Sequence, residues 1–111
     1  MYVTTVRAVQ SVKFLEEGSH GVRMRQLLGR EDGALKTAMH ELSLHKGGYS
    51  AKHAHDWDHQ LVVTSGRGVA VIDGKRVALR AGIVLLVQSG EQHQFFQRGS
   101  EPLRFLTVTP I

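Results

Sequence analysis

Short apolar runs separated by glycine-rich turns recur along the whole chain. Some alternate between apolar and polar residues, as at the start of Val22–Leu28, and one, Ile83–Val87, is continuously apolar. No window of helical length places apolar residues at i, i+3, i+4 and i+7. Many short strands with glycine-rich turns favour an all-β sandwich or barrel. We therefore predict one all-β domain spanning residues 1–111.

Three of these strand segments allow a more detailed prediction. Asp73-Gly74 links two apolar runs and suits a type I′ hairpin turn, which needs positive φ at both positions. The run Ile83–Val87 predicts a strand buried on both faces. In the long strand 35–45 the even-numbered positions form the more apolar face, and this face includes His40. The full set of predicted strands is 2–6, 11–15, 22–28, 35–45, 60–64, 68–72, 75–79, 83–87, 92–98 and 103–108.

Composition excludes several classes of function. The chain has no cysteine, so disulfides, thiolate zinc sites and a cysteine nucleophile are absent. The net charge of +4 arises from scattered basic residues, with no cluster that favours a nucleic-acid partner. No apolar run has the length of a membrane span, and the first residues do not resemble a signal peptide. These features predict a soluble, cytoplasmic protein with neither a nucleic-acid nor a membrane partner.

The chemistry of the chain concentrates in residues 47–59. His53, His55 and His59 stand at i, i+2 and i+6 after the glycine pair Gly47-Gly48. In an extended strand His53 and His55 point the same way, and His59 joins them if the intervening turn keeps the register. Converging neutral imidazoles form a transition-metal site. A His-x-His pair alone is weak support, because histidines also cluster on protein surfaces.

The spacing around these histidines resembles the first motif of the cupin family. That motif reads glycine, five residues, histidine, one residue, histidine, three or four residues, glutamate, six residues and glycine. Gly47, His53, His55, His59 and Gly66 match the spacing throughout, with histidine at position 59 where glutamate is usual.

A second region resembles the other cupin motif, over residues 82–97. Gly82, Gly90 and His93 match its spacing, while Gln88 replaces a proline and Gln97 replaces an asparagine. The resemblance covers about residues 38–108. It implies a double-stranded β-helix, or jelly roll, with a metal inside the barrel, and small single-domain members of the family are commonly homodimers.

The four-histidine subgroup of small cupins is the best match, so the resemblance implies the metal ligands His53, His55, His59 and His93. The expected cofactor is one divalent transition metal per chain, with Mn, Fe, Cu, Ni and Zn all open. Four neutral ligands leave the full charge on the ion, and an octahedral ion keeps two positions for substrate or O2. A dioxygenase acting on a small organic molecule is the leading hypothesis. A non-catalytic metal- and ligand-binding or sensing module, and a structural zinc domain, remain alternatives.

Other residues near the motifs have predicted supporting roles. His40 is a candidate to line the pocket and shuttle protons near neutral pH, the alternative being a packed core histidine. Trp57 is a candidate either to gate the cavity mouth or to cover the barrel end, and Gln97 is expected to have a structural role. Phe95 and Phe105 are candidates for the cavity wall, although core packing is the favoured interpretation for both. The candidates for hydrogen-bond partners of the ligand histidines are Asp56, Asp58, Gln60 and the backbone.

Overall fold

The computed structural model describes residues 1–111, and they form a curled antiparallel sheet of nine strands. Two 3-10 turns, Val6–Ala8 and Arg30–Asp32, are its only helical elements. No helix is both long and apolar enough to span a membrane. The strands are β1 Val12–Lys13, β2 His20–Leu28, β3 Thr37–Tyr49, β4 His59–Ser65, β5 Arg67–Ile72, β6 Lys75–Arg80, β7 Val84–Val87, β8 His93–Arg98 and β9 Leu103–Pro110.

Strand order shows how the sheet closes into a jelly roll. The order is β6-β5-β8-β3-β9-β4-β7, with β2 and β1 added beside β3. The long strand β3 pairs with β9 from Thr37 to Leu44 and reaches β8 only at Tyr49. Because one strand serves both halves of the sheet, β3 links the two walls of the barrel. The predicted all-β jelly roll is confirmed.

The barrel interior contains a contiguous apolar core of eleven buried residues from both walls. Leu44 on β3 and Leu103 on β9 are fully buried, and the rings of Phe95 and Phe105 meet at 5.1 Å between centroids. Leu44 lies on the even-numbered face of β3, as the apolar pattern predicts. The opposite face of β3 is also partly covered, because Arg25 binds the buried Glu41 at 2.7 Å.

Backbone geometry explains the glycines of the two motifs. Gly47, Gly66, Gly82 and Gly90 all have positive φ, which residues with a side chain rarely adopt. At Gly66 a Cβ atom would also lie 2.0 Å from the carbonyl oxygen of Pro102. The predicted type I′ hairpin is confirmed in the same way, since Asp73 has φ 47° and the next residue φ 81°.

Two strand predictions are wrong. β7 is an edge strand rather than one buried on both faces, and Val84 and Leu86 are 77% and 48% exposed. No other part of the chain covers the outward face of β7. A continuous apolar run therefore did not predict burial on both faces. Residues 2–6 form no strand either: no neighbouring strand pairs with them, and the chain instead makes a 3-10 turn that begins after the capping residue Thr5.

Candidate metal centre

Backbone hydrogen bonds fasten the histidine loop to strand β8. The N–H of Ser50 donates to the carbonyl of Phe95 (2.9 Å), and His53 and His93 exchange N–H···O bonds of 3.0 and 2.7 Å. Further along, the N–H of Gly90 donates to the carbonyl of His55 (2.6 Å). His53 and His93 thus face each other as an antiparallel bridge, which brings the two sequence motifs into contact.

Three of the four predicted ligands converge in one cluster. The donor nitrogens of His53, His55 and His93 all lie within 4.8 Å of one another. The ring of His55 stacks on Trp57 with centroids 4.2 Å apart and planes 4° from parallel, which fixes its orientation. His53 and His55 therefore point toward the same cluster, as their i, i+2 spacing predicts. Only His53 makes a β-bridge, however, and neither residue lies in a strand.

His93 presents a free lone pair to the cluster. Its Nδ1–H donates to the carbonyl oxygen of Glu91 at 3.0 Å, and a carbonyl can only accept. In the neutral ring the proton is therefore on Nδ1, and Nε2 has an unshared pair. Ligand histidines in metal sites commonly donate their other ring N–H to a carbonyl in this way.

His59, the fourth predicted ligand, lies at the edge of the cluster. Its Nε2 is 3.4 Å from the Nε2 of His93, and its Nδ1 is hydrogen-bonded to the hydroxyl of Thr107 at 3.2 Å. The ring is buried, with 8% exposed, at the start of β4. The turn at residues 56–58 thus brings His59 next to His93, but its donor nitrogens lie outside the group of three that are all within 4.8 Å of one another.

The hydrogen-bond partners of these rings differ from the predicted ones. They are the Glu91 carbonyl, the Thr107 hydroxyl and the Glu16 carboxylate, whereas Asp56, Asp58 and Gln60 make no such bond. Of the candidates, only the prediction of a backbone partner is confirmed. Thr107 is 48 residues away in sequence and reaches His59 only because β9 pairs with β4.

Burial lowers the pKa of two of these histidines, His59 and His55. The pKa of His59 is lowered to about 4, first by burial and then by the neighbouring His93 and His55, against an opposing contribution from Asp58. Burial also lowers the pKa of His55, with help from His93 and His53, while Glu16 and Asp56 oppose the shift. A metal ligand must be the neutral imidazole, so both shifts favour metal binding near pH 7.

One carboxylate at the cluster was not predicted. Glu16, on the loop between β1 and β2, places Oε1 against Nε2 of His53. The sequence marks this loop only as rich in turn residues, and nothing in its spacing relates Glu16 to a histidine 37 positions later. The contact depends on the tertiary packing of the N-terminal segment.

The cluster opens into a cavity of about 370 Å³ inside the barrel. Its wall is mainly apolar and contains no lysine or arginine, and its acidic residue is Glu16. His40 lies on this wall, and burial lowers its pKa. On the sheet His40 is paired with Thr107, which holds His59. Trp57 also lines the cavity, and Phe95 and Phe105 both line it and belong to the buried core, so the two expected roles coincide for these rings.

The donor set fits a divalent transition ion. Nitrogen ligands at about 2.0–2.1 Å from one ion lie within about 4.2 Å of one another, close to the span of the three-histidine cluster. Imidazole suits Zn, Cu, Fe and Ni, and the absence of thiolates leaves histidine and carboxylate as the available side-chain donors.

The fold and the histidine cluster together define a class. A model of the cupin domain matches residues 40–109, which is more than half of the chain. The chain belongs to the cupin domain family, and the resemblance of its two motifs is thereby confirmed.

Proteins similar to the chain have several named activities. The oxalate-binding protein of Thermotoga maritima is 29% identical over 101 residues, covering 89% of this chain and 84% of that protein. The polyketide cyclase RemF from Streptomyces resistomycificus superposes with TM-score 0.93 at 26% identity, over 99% of this chain and 79% of RemF. A predicted oxalate decarboxylase from Thermotoga maritima gives TM-score 0.87 at 28% identity, over 96% of both chains.

Proposed function

We propose that this cupin is a metal-dependent enzyme acting on a small, largely apolar molecule that binds the ion through oxygen atoms. The main support is the position of the histidine cluster at one end of an apolar cavity without lysine or arginine. Such a cavity desolvates an apolar substrate readily but offers a free dianion no cationic side chain. A substrate with an enol or diketone group can bind the ion through its oxygen atoms and place its apolar part against the cavity walls.

His53, His55, His59 and His93 are the residues proposed to hold the ion. When bound, a divalent ion supplies Lewis acidity that lowers the pKa of a coordinated substrate oxygen. The aromatic wall formed by Phe95 and Phe105 packs against the apolar part of the substrate and excludes water. The same wall therefore orients the oxygen-bearing end of the substrate toward the histidines.

His40 is the proposed proton acceptor. It faces the cavity from β3, and its lowered pKa keeps it neutral and able to accept a proton near pH 7. No side chain hydrogen-bonds its ring nitrogens, so they remain available to a substrate. His40 on β3 pairs with Thr107 on β9, and β9 separates His40 from His59 on β4.

Two reaction classes are proposed for this site. Dioxygenation is the first, because four neutral ligands leave positions for both substrate and O2. Ring closure of a polyketone without a redox step is the second, and it is supported by the similarity to RemF over 99% of the chain. Both classes need the same features, namely a coordinated carbonyl or enol oxygen, an apolar pocket and a proton acceptor.

The experiment is a reaction assay on protein loaded in turn with Mn, Fe, Cu, Ni and Zn. Diketones, flavonols and linear polyketones are supplied while O2 uptake and product mass are followed. O2 consumption supports dioxygenation, and a product lighter by water without O2 uptake supports cyclisation. Tight binding with neither change would replace the proposal with the alternative of a ligand-binding or sensing module.

Assembly as a homodimer is part of the proposal. The outward face of β7 exposes Val84 and Leu86, and adjacent Val62 on β4 continues this apolar surface. Edge strands with exposed apolar side chains are prone to pair with another chain. A second copy of the same chain is the occupant that we propose for this surface.

A further inference from the structure

The carboxylate of Glu16 is the one anionic side chain that lines the cavity beside the histidine cluster. It lines the cavity and also the surface groove outside, so it lies at the opening between them. Its Oε1 contacts Nε2 of His53, whose ring faces His55 and His93. Asp56 and Asp58 are closer in sequence to the ligands, but neither lines the cavity.

The backbone holds Glu16 in this position. Its carbonyl accepts hydrogen bonds from both the N–H and the hydroxyl of Ser19, at 3.0 and 2.7 Å. Within this turn Gly18 has φ 85°, and a Cβ atom added there would lie 3.6 Å from the Cβ of Ala51, two residues before His53 in the histidine loop. The turn is thus seated on the loop that carries the ligands, and the carboxylate is directed at the cluster from a defined backbone.

Charge gives this placement a chemical role. Four neutral histidines leave the charge of a divalent ion uncompensated, and a carboxylate oxygen is a good ligand for hard ions such as Mn²⁺. We propose that Glu16 is a fifth protein ligand, donating a carboxylate oxygen to the ion held by the histidines, and that an incoming substrate oxygen displaces it. This inference rests on the proposed function only in requiring that the cluster binds a divalent ion.

A ligand role and a merely orienting role make different predictions. If Glu16 binds the ion, its loss weakens binding of Mn²⁺ more than binding of Zn²⁺, because imidazole alone suits zinc. If Glu16 only orients His53, its loss weakens both ions by the same factor. Displacement adds a second signature: without the carboxylate, an external chelating anion meets no competitor and binds the loaded ion more tightly.

The test compares wild type with Glu16→Gln and with Glu17→Gln, a matched control on the exposed neighbour. Mn²⁺ and Zn²⁺ affinities are measured by chelator competition, and oxalate is then titrated into the Mn-loaded proteins by calorimetry. For Glu16→Gln we expect Mn²⁺ affinity to fall by at least about tenfold, Zn²⁺ affinity to fall less, and oxalate to bind more tightly. Glu17→Gln should match wild type in all three.

Equal loss of Mn²⁺ and Zn²⁺ affinity, or wild-type affinities in Glu16→Gln, would overturn the ligand role while leaving the histidine site intact. A wild-type protein that binds neither ion would overturn both this inference and the proposed function. Glu16→Ala is measured in parallel, so the conclusion does not depend on the folding of one variant. It must show the same order of losses for the ligand role to stand.

Discussion

Two buried polar residues on β8, His93 and Gln97, point into the barrel from opposite ends of the strand and have different surroundings. Gln97 is 3% exposed, and all its hydrogen bonds are to backbone: it accepts from the N–H of Gly47 and donates to the carbonyls of Gly99 and Glu101. His93 is 4% exposed, yet only its Nδ1 has a backbone partner.

The other nitrogen of His93 faces a second imidazole nitrogen, that of His59, at 3.4 Å. Buried polar groups are normally hydrogen-bonded, and Gln97 follows this rule through backbone partners alone. The donor nitrogens of His53, His55 and His93 instead gather within 4.8 Å of one another, an arrangement that could hold a metal ion. We call these two parts of the strand the glutamine end and the histidine end. The four predictions below test this difference in order of decreasing effect.

Replacing His93, at the histidine end of β8, should abolish metal binding without unfolding the barrel. His93→Ala removes a donor whose lone pair is oriented by the Glu91 carbonyl, and we expect metal retention near zero in a folded protein. His20→Ala, an exposed histidine outside the cluster, should retain the wild-type amount. Metal content is measured by mass spectrometry, and wild-type stoichiometry in His93→Ala would contradict the assignment.

Replacing Gln97, at the glutamine end of β8, should lower the stability of the fold instead. Gln97→Ala removes three hydrogen bonds of a buried side chain, to the Gly47 N–H and to two carbonyls, and we expect a loss of about 2–3 kcal/mol in the free energy of unfolding, at about 1 kcal/mol for each bond. Gln88→Ala, at an exposed turn position, should change stability by less than about 0.5 kcal/mol. Urea unfolding measures both, and the folded Gln97 variant should still bind metal.

Acid should destabilise the metal-free protein through the histidine end. Because the pKa of His59 is lowered to about 4, the unfolded chain binds more protons than the folded one between about pH 4 and the usual histidine pKa of about 6.5. Stability therefore rises with pH across that window and falls as pH drops from 7 to 4.5. We expect a loss of up to about 2 kcal/mol, allowing for solvent near the ring.

Urea unfolding of the metal-free protein at several pH values tests this expectation. His59→Asn removes the titrating ring and should flatten the profile in that window. A wild-type profile that does not change between pH 7 and 4.5 would show that His59 is not buried in its neutral form.

The smallest expected effect on stability lies outside the barrel, at β7. Leu86→Lys places a charge on the exposed apolar edge and should convert a dimer to a monomer while changing monomer stability by less than about 0.5 kcal/mol. Leu35→Lys, at an equally apolar but separate exposed position, is the control and should leave the dimer intact. Analytical ultracentrifugation distinguishes the two, and a monomeric wild type would contradict the dimer proposal.

Local chemistry made much of this fold and site predictable from sequence. The Asp73-Gly74 turn and the positive-φ glycines of the motifs depend on backbone conformation a few residues long, so their identity alone is informative. The convergence of His53 and His55 follows from their i, i+2 spacing, which predicts that both side chains point the same way in an extended chain. The motif spacing added His93, which no local rule would bring next to His53.

What sequence could not provide depends on contacts between distant segments. Glu16 reaches His53 across 37 positions because its turn lies beside the histidine loop, and Thr107 reaches His59 through the pairing of β9 with β4. The exposure of β7 likewise depends on its place at the edge of the sheet rather than on its composition. A continuous apolar run does not by itself distinguish an edge strand from a strand in the core.

The most direct test of the central claim is the metal stoichiometry of wild-type protein, stripped of metal and then supplied separately with each divalent transition ion. After desalting, mass spectrometry should find about one ion per chain. For a paramagnetic ion, the electron paramagnetic resonance spectrum should shift when oxalate is added, because the site keeps exchangeable positions. A protein that retains no ion under any of these conditions would contradict the claim that the histidine end of the barrel is a metal centre.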